Sequence, residues 1–382
     1  MEYTNEPAFI NRQQETAFLA SWVAERPKSL LFIYGPKSSG KTTLLYRFIK
    51  GNLGNPAYAI KHFNLREILI ARYQDFIRAF FEHDYSKEKG DVKERREYNL
   101  QVFKLSVEVL KGLDNHELDP FVVMKQELSK LNDRAVRPII IIDELQALEG
   151  IYMNGQRELL KELFNFFVAM TKESHLCHVI IASSDGYFIE RIYNDSKLKK
   201  TSEFLEVDYL VEEDVRRWLT NLEKESAIGQ YTLSPVQLEA IWETFGGSCA
   251  EISRFLGDIL MGAEGGKVPD AVFDKVMQRK RIQMRSLFVD YASLHKDKRS
   301  LLRAINRVAR ADAGRFQEAL LAPLVDDGVY DVQGLRDELG NLVRYNFLAY
   351  NPVTAEFSLQ GRSMEIGLAM FVEMIDRTTP SR

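Results

Sequence analysis

The segment Gly35-Pro36-Lys37-Ser38-Ser39-Gly40-Lys41-Thr42 constrains this chain more than any other, because of what stands on either side of it. Before it, Ser29-Leu30-Leu31-Phe32-Ile33-Tyr34 is a short apolar run, the pattern of a strand buried on both faces. After it, Thr42-Thr43-Leu44-Leu45-Tyr46-Arg47-Phe48-Ile49 has the spacing of an amphipathic helix that opens directly from the loop. A strand, a glycine-spaced loop and a helix together make a phosphate cradle. Backbone N–H groups from Gly35 to Thr43 and the positive helix end surround anionic oxygens; Lys41 reaches the outer phosphates, and Thr42 offers a hydroxyl to Mg²⁺. A glycine-rich turn that served folding alone would leave the Lys41-Thr42 pair unexplained.

A second apolar run, Pro138-Ile139-Ile140-Ile141-Ile142, ends in Asp143-Glu144. Four consecutive isoleucines read as a central parallel strand, whose carboxyl end is where ligands sit in open α/β sheets. Asp143 is placed to hold Mg²⁺ together with Thr42, and Glu144 to polarise the water that attacks a γ-phosphate. The bland alternative is that these acids cap the next helix. A third strand, Cys177-His178-Val179-Ile180-Ile181-Ala182, ends in Ser183-Ser184-Asp185. Ser183, with Ser184 beside it, either senses the γ-phosphate or caps a helix. An earlier strand over Ala57 to Phe63 ends at Asn64, a candidate partner for Glu144, and a fifth is expected at Phe204-Leu205-Glu206-Val207. Strands alternating with helices predict an α/β fold with a parallel sheet covered on both faces.

Composition fits that outline. The 382 residues suffice for two or three domains, and 45% hydrophobic with 28% charged residues describe a globular chain. A net charge of −4 gives no chain-wide attraction to nucleic acid or to an anionic membrane. Met1 to Glu6 is polar and lacks the layout of a secretion signal, and no apolar run is long enough to cross a bilayer. Cys177 and Cys249 stand far apart without metal-type spacing. A reduced, cytoplasmic protein with no membrane partner is the expectation.

The motifs together resemble the archaeal-type P-loop ATPases, within the AAA+-related STAND group. Phe9-Ile10-Asn11-Arg12-Gln13-Gln14-Glu15 resembles that family's amino-terminal box, Asp143-Glu144-Leu145-Gln146 its acidic strand end, and Phe245-Gly246-Gly247-Ser248 its turn in a small helical domain. Leu210 to Val215 resembles the linker that opens that domain. The resemblance spans residues 9 to 260 and implies ATP as the nucleotide, contacts to it from Asn11 and Arg12, and a helical lid over it. No guanine-specifying Asn-Lys-x-Asp motif follows the sensor strand. Cys249 stands where family members often carry Pro, and Lys199-Lys200-Thr201 where a Gly-Arg pair is common. Lysine lacks the forked donors of arginine, so an arginine finger is left unassigned between Arg191 and Arg254.

Beyond the core, Asp84 to Glu97 is a mixed-charge stretch that reads as an exposed insertion, next to a helix over Tyr73 to Phe81. Lys275, Arg279, Lys280, Arg281 and Arg285 form a basic cluster on one helix, continued by Lys296, Lys298, Arg299, Arg303, Arg307 and Arg310. Such a cluster neutralises DNA phosphates, or is a solvated face or an inter-domain contact. Gly334 to Tyr345 has helical spacing, and Phe347 to Tyr350, Asn351-Pro352 and Glu356 to Leu359 predict a β-hairpin, a winged-helix pattern. The expected division is a P-loop ATPase core over 1–210, a helical lid and linker helix over 211–285, and a winged-helix domain over 286–382. The function expected is Mg²⁺-dependent ATP hydrolysis that drives a switch or remodelling module through the winged helix. An unknown protein partner is expected, with room for a homo-oligomer. The alternative is a DNA-binding AAA+ initiator or transposition-type regulator.

Overall fold

A computed structural model describes residues 8–66, 69–83, 104–115, 117–153, 156–195, 198, 200–292, 294–311 and 314–378. The polar amino terminus, the mixed-charge stretch from Asp84 to Glu97, and Lys199 lie outside these residues.

Five parallel strands form the central sheet: β1 (Leu30–Tyr34), β2 (Tyr58–Asn64), β3 (Arg137–Asp143), β4 (His178–Ala182) and β5 (Ser202–Glu206). Their order is β2-β3-β4-β1-β5, and all five pair in parallel. Successive side chains alternate between two cores. Phe32, Ile140, Ile142, Val179 and Ile181 face helices that include Pro120–Asp133 and Leu159–Val168. Leu31, Ile33, Ile139, Ile141 and Ile180 face helices Gln13–Ala24 and Lys41–Asn52. Burial on both faces is why these strands read as continuous apolar runs. The edge strand β5 is half-buried and begins at Ser202, earlier than its apolar residues suggest. Edge position dilutes its hydrophobic signal.

Register sets where the strands end. Asn64 pairs with Asp143, Asp143 with Ala182, and Ile33 with Ala182. Residues just past β1, β3 and β4 therefore meet at one rim, the place where parallel sheets hold ligands.

After β5 the chain forms helices Glu212–Thr220, Pro235–Phe245, Cys249–Leu260 and Asp270–Ala292 around a separate core that includes Val215, Trp218, Ile241, Phe255 and Ile259. The Gly246-Gly247 turn joins this unit to its linker, with the Leu210 N–H donating to the Gly247 carbonyl at 3.1 Å. Helix Asp270–Ala292 carries Met284 in that core and Phe288 in the next. The C-terminal core gathers helix Lys296–Ala311, helix Val332–Arg344 and helix Arg362–Thr378 with a three-stranded antiparallel sheet. Its strands are β6 (Arg315–Phe316), β7 (Leu348–Asn351) and β8 (Glu356–Leu359), in the order β6-β8-β7. The β7–β8 hairpin matches the sequence expectation. The two-residue β6 is too short for periodicity to reveal.

This C-terminal unit rests on the parallel-sheet core. Tyr187 packs tilted against Tyr350 and Phe357 with ring centroids 4.6 and 5.6 Å apart, and Gly340 approaches the Tyr187 ring. Gly186 makes the approach possible, because a Cβ there would lie 1.9 Å from the Tyr350 carbonyl oxygen. Gly186→Ala is therefore expected to push the hairpin off helix Gly186–Asp195, at a cost of about 1–3 kcal/mol in overall stability. Thermal unfolding with limited proteolysis after helix Asp270–Ala292 checks it.

Candidate active site

The loop after β1 is shaped before any ligand contact. Gly35 has φ 140°, and a Cβ there would lie 2.3 Å from the Val207 carbonyl oxygen, so only glycine passes the end of β5 so closely. Ser38 at φ 67° and Gly40 at φ 98° turn the loop into helix Lys41–Asn52. Lys41 is buried, and its ammonium donates to the carbonyls of Gly35 and Pro36, each at 2.9 Å. Burial pulls its pKa down to about 8; Glu144 and Asp143 oppose that shift, while Arg66 and Arg12 add to it.

Thr42 and Asp143 come together across 101 residues of chain, with Thr42 Oγ1 donating to Asp143 Oδ2 at 2.7 Å. Burial raises the Asp143 pKa, and the Thr42 hydrogen bond counters it. A hydroxyl and a carboxylate side by side are hard oxygen donors of the kind that Mg²⁺ takes. Among the described residues Ser39 Oγ is buried in the loop without a hydrogen-bond partner, the kind of orphaned polar atom that a bound group could satisfy.

Glu144 sits at φ 63°, a left-handed conformation that non-glycine residues adopt sparingly and that clusters at functional sites. Its side chain makes no capping bond to the following turn. One oxygen accepts from Arg66, and the other accepts from the Gln146 amide. Ser183, fully buried, donates to Gln146 Oε1 at 3.1 Å and accepts from the Asp185 N–H at 3.0 Å. The helix-capping role falls to Asp185, whose carboxylate accepts from the Phe188 N–H at 2.9 Å. A chain of polar contacts thus runs Ser183, Gln146, Glu144, Arg66. Asn64 accepts from the Arg66 N–H at 3.3 Å, and so helps to aim Arg66, which sequence reasoning passed over.

These groups open onto a cleft of about 600 Å³ between the core and helix Cys249–Leu260. Its lining combines Lys37 to Thr43, Arg66, Glu144 and Ser184 with the apolar Phe9, Ile10, Ile228 and Leu256. Convergent polar groups beside apolar side chains are what small-molecule sites are built from. Arg12 lines the cleft while anchoring it: its guanidinium donates to the Ser39 carbonyl at 2.8 Å, the Asp208 carbonyl at 2.6 Å and Glu15 at 2.6 Å. Asn11 instead faces the lid, donating to Asp214 at 2.7 Å.

The other candidates are placed apart. Arg191 pairs with Glu149, and Arg254 is exposed on the lid helix. Of the basic cluster, Lys275 and Arg279 are exposed, whereas Lys280 pairs with Asp258 and Arg281 donates to Thr244 Oγ1 at 3.1 Å. The cluster is divided between solvent and the lid's own interior. Among the described residues no helix is long and apolar enough to cross a membrane.

Residues 9–255 match the family described as an ATPase domain predominantly from Archaea, and the chain belongs to that family. A Methanocaldococcus jannaschii protein named as an uncharacterized ATP-binding protein is 42% identical over 219 residues, covering 55% of this chain and 59% of its own length. Another from the same organism is 32% identical over 276 residues, covering 67% of this chain and 72% of its own. The chain spans about three-fifths of the length of the first of these. Two solved structures share the fold over nearly the whole chain. A Walker-type ATPase of Pyrococcus abyssi has a TM-score of 0.62 at 16% identity, covering 94% of this chain and 96% of that one. The ADP form of the Aeropyrum pernix ORC2 protein has a TM-score of 0.53 at 13% identity, covering 100% and 98%. The chain is an archaeal-type ATPase domain with a P-loop parallel sheet.

The buried Lys41 has a stability signature. Burial holds its folded pKa at about 8, below the ordinary lysine value of about 10.4, so the unfolded chain holds more protons between those limits and stability rises with pH there. Below about pH 8 the buried ammonium costs roughly 3 kcal/mol. Lys41→Met is expected to be the more stable protein at pH 7, with its advantage shrinking by pH 9.5. Denaturant unfolding at the two pH values measures this.

Proposed function

We propose that this chain hydrolyses ATP with Mg²⁺ and uses nucleotide state to set how two appended units sit against its core. The observation that carries the reading is the Thr42–Asp143 contact beside Glu144, next to a cleft lined by the phosphate loop. Thr42 and Asp143 would hold Mg²⁺, which would supply charge neutralisation across the terminal phosphates. Loop amides from Lys37 to Thr43 and the Lys41 ammonium bind and orient the triphosphate. Glu144 accepts a proton from the attacking water, Ser183 steadies it through Gln146, and Arg12 keeps the loop in place from behind. Family membership and the ATP-binding names of the relatives support ATP as the nucleotide.

The units we assign are residues 1–210, 211–285 and 286–382, the last read as a winged helix within a STAND-type arrangement. The contact supporting a switch is specific. The Lys37 N–H of the phosphate loop donates to Gln360 Oε1 at 2.9 Å, and the Lys37 carbonyl accepts from the Tyr209 hydroxyl at 3.0 Å. Gln360 is buried at the end of β8, where its amide also donates to the Leu348 carbonyl. A loop gripped by the lid linker and by the hairpin would respond to nucleotide by loosening one of them, a shift between two arrangements. We assign the freed hairpin to a protein partner. The hairpin and helix Val332–Arg344 face Tyr187 here, and Arg336 is engaged with Glu318, so this helix is turned onto the core rather than toward a duplex. A DNA-binding initiator is the second reading, supported by the exposed Lys275 and Arg279.

Lys41→Ala is expected to abolish tight ATP binding, whereas Glu144→Gln keeps binding and loses turnover by at least about a hundredfold. Nucleotide titration and phosphate release measure the two; unchanged turnover in Glu144→Gln would remove that residue as water activator. Gln360→Ala is expected to speed nucleotide exchange and expose the hairpin to protease. Salt titration of duplex binding tests the second reading, and affinity that does not change with salt rules it out.

A further inference from the structure

Arg66 lies just beyond β2, on a turn held by the Leu65 N–H donating to the Asp143 carbonyl at 3.1 Å. Leu65 is buried, so the Arg66 backbone is pinned beside the end of β3. Its side chain is 54% exposed, lines the nucleotide cleft with Lys41 and Thr42, and is paired with Glu144. No motif in the sequence marked it.

The two contacts on Glu144 differ in kind. Gln146 is a neutral amide, fixed from behind by buried Ser183. Arg66 is charged and its side chain is 54% exposed, so its guanidinium, unlike the Gln146 amide, can leave Glu144 for an anion arriving from the cleft. Its planar fork also matches a phosphate better than lysine does. A terminal phosphate in this cleft would therefore compete with Glu144 for the guanidinium, while the Gln146 bond holds the carboxylate in place.

We propose that Arg66 is the group by which this site tells ATP from ADP: the terminal phosphate draws it from Glu144, freeing one carboxylate oxygen to accept from water. The proposal rests on the hydrolytic reading above. ADP lacks that phosphate and leaves the Arg66–Glu144 pair intact.

The test compares binding of ADP and of a non-hydrolysable ATP analogue, together with ATP turnover, in wild type, Arg66→Ala and Arg66→Lys. Arg66→Ala is expected to weaken the analogue about tenfold or more, leave ADP within about twofold, and lower kcat, because charged hydrogen bonds to phosphate are of that strength. Arg66→Lys recovers part of the analogue affinity and of kcat. Unchanged ADP binding doubles as the control for folding. The proposal is overturned if Arg66→Ala keeps the wild-type ratio of analogue to ADP affinity, or weakens both equally. Failure of the hydrolytic reading would look different, since wild type would then show no turnover at all.

Discussion

Everything at this site depends on the in-register ending of three neighbouring parallel strands. Because Asp143 pairs with Ala182 and Ile33 pairs with Ala182, the phosphate loop, the acidic pair and Ser183 emerge at one height along the sheet. A shift of one residue in β3 would turn Asp143 to the opposite face and separate it from Thr42. The isoleucine run that fixes this register is buried on both sides, so a slip would find no better packing. Chemistry here is a consequence of strand alignment before it is a matter of side chains.

The same alignment explains how much could be read from residues alone. Gly35 to Thr42 and Ile139 to Glu144 were legible in local order, because a tight loop and a strand end need only their neighbours in sequence to take shape. Fold class and all five core strands followed from such runs, the edge strand with its start displaced by two residues. Asn11 and Arg12 were legible as a motif, but their division of labour was not: one holds the lid, the other the loop. Arg66 and Gln360 were invisible. Their partners stand 78 and 323 positions away, and a lone arginine after a strand or a glutamine after a hairpin has no pattern of its own. The basic cluster shows a related limit. Charges counted along a helix do not tell which of them are engaged by neighbouring helices, and Lys280 and Arg281 are.

Polar contacts in this protein fall into two classes. Buried, neutral links such as Ser183 to Gln146 fix geometry, since breaking them leaves an unsatisfied group in a low dielectric. Charged links with a half-exposed arginine, such as Arg66 to Glu144 and Arg315 to Asp208, can be exchanged. The first class lies inside the core, and the second lies where units or ligands meet. A molecule that must be rigid in one place and movable in another is assembled from just such a division.

Lys37 stands between the two. Its backbone is grasped by Tyr209 on one side and Gln360 on the other, so the loop is a shared boundary condition for the lid linker and the C-terminal hairpin. On the proposed switch, linkage would work in both directions: whatever factor nucleotide applied to hairpin release, anything that captured the hairpin would apply to nucleotide affinity. A distant binding event would then be legible as a change in nucleotide dwell time, which would make the loop a reporter as well as a scaffold.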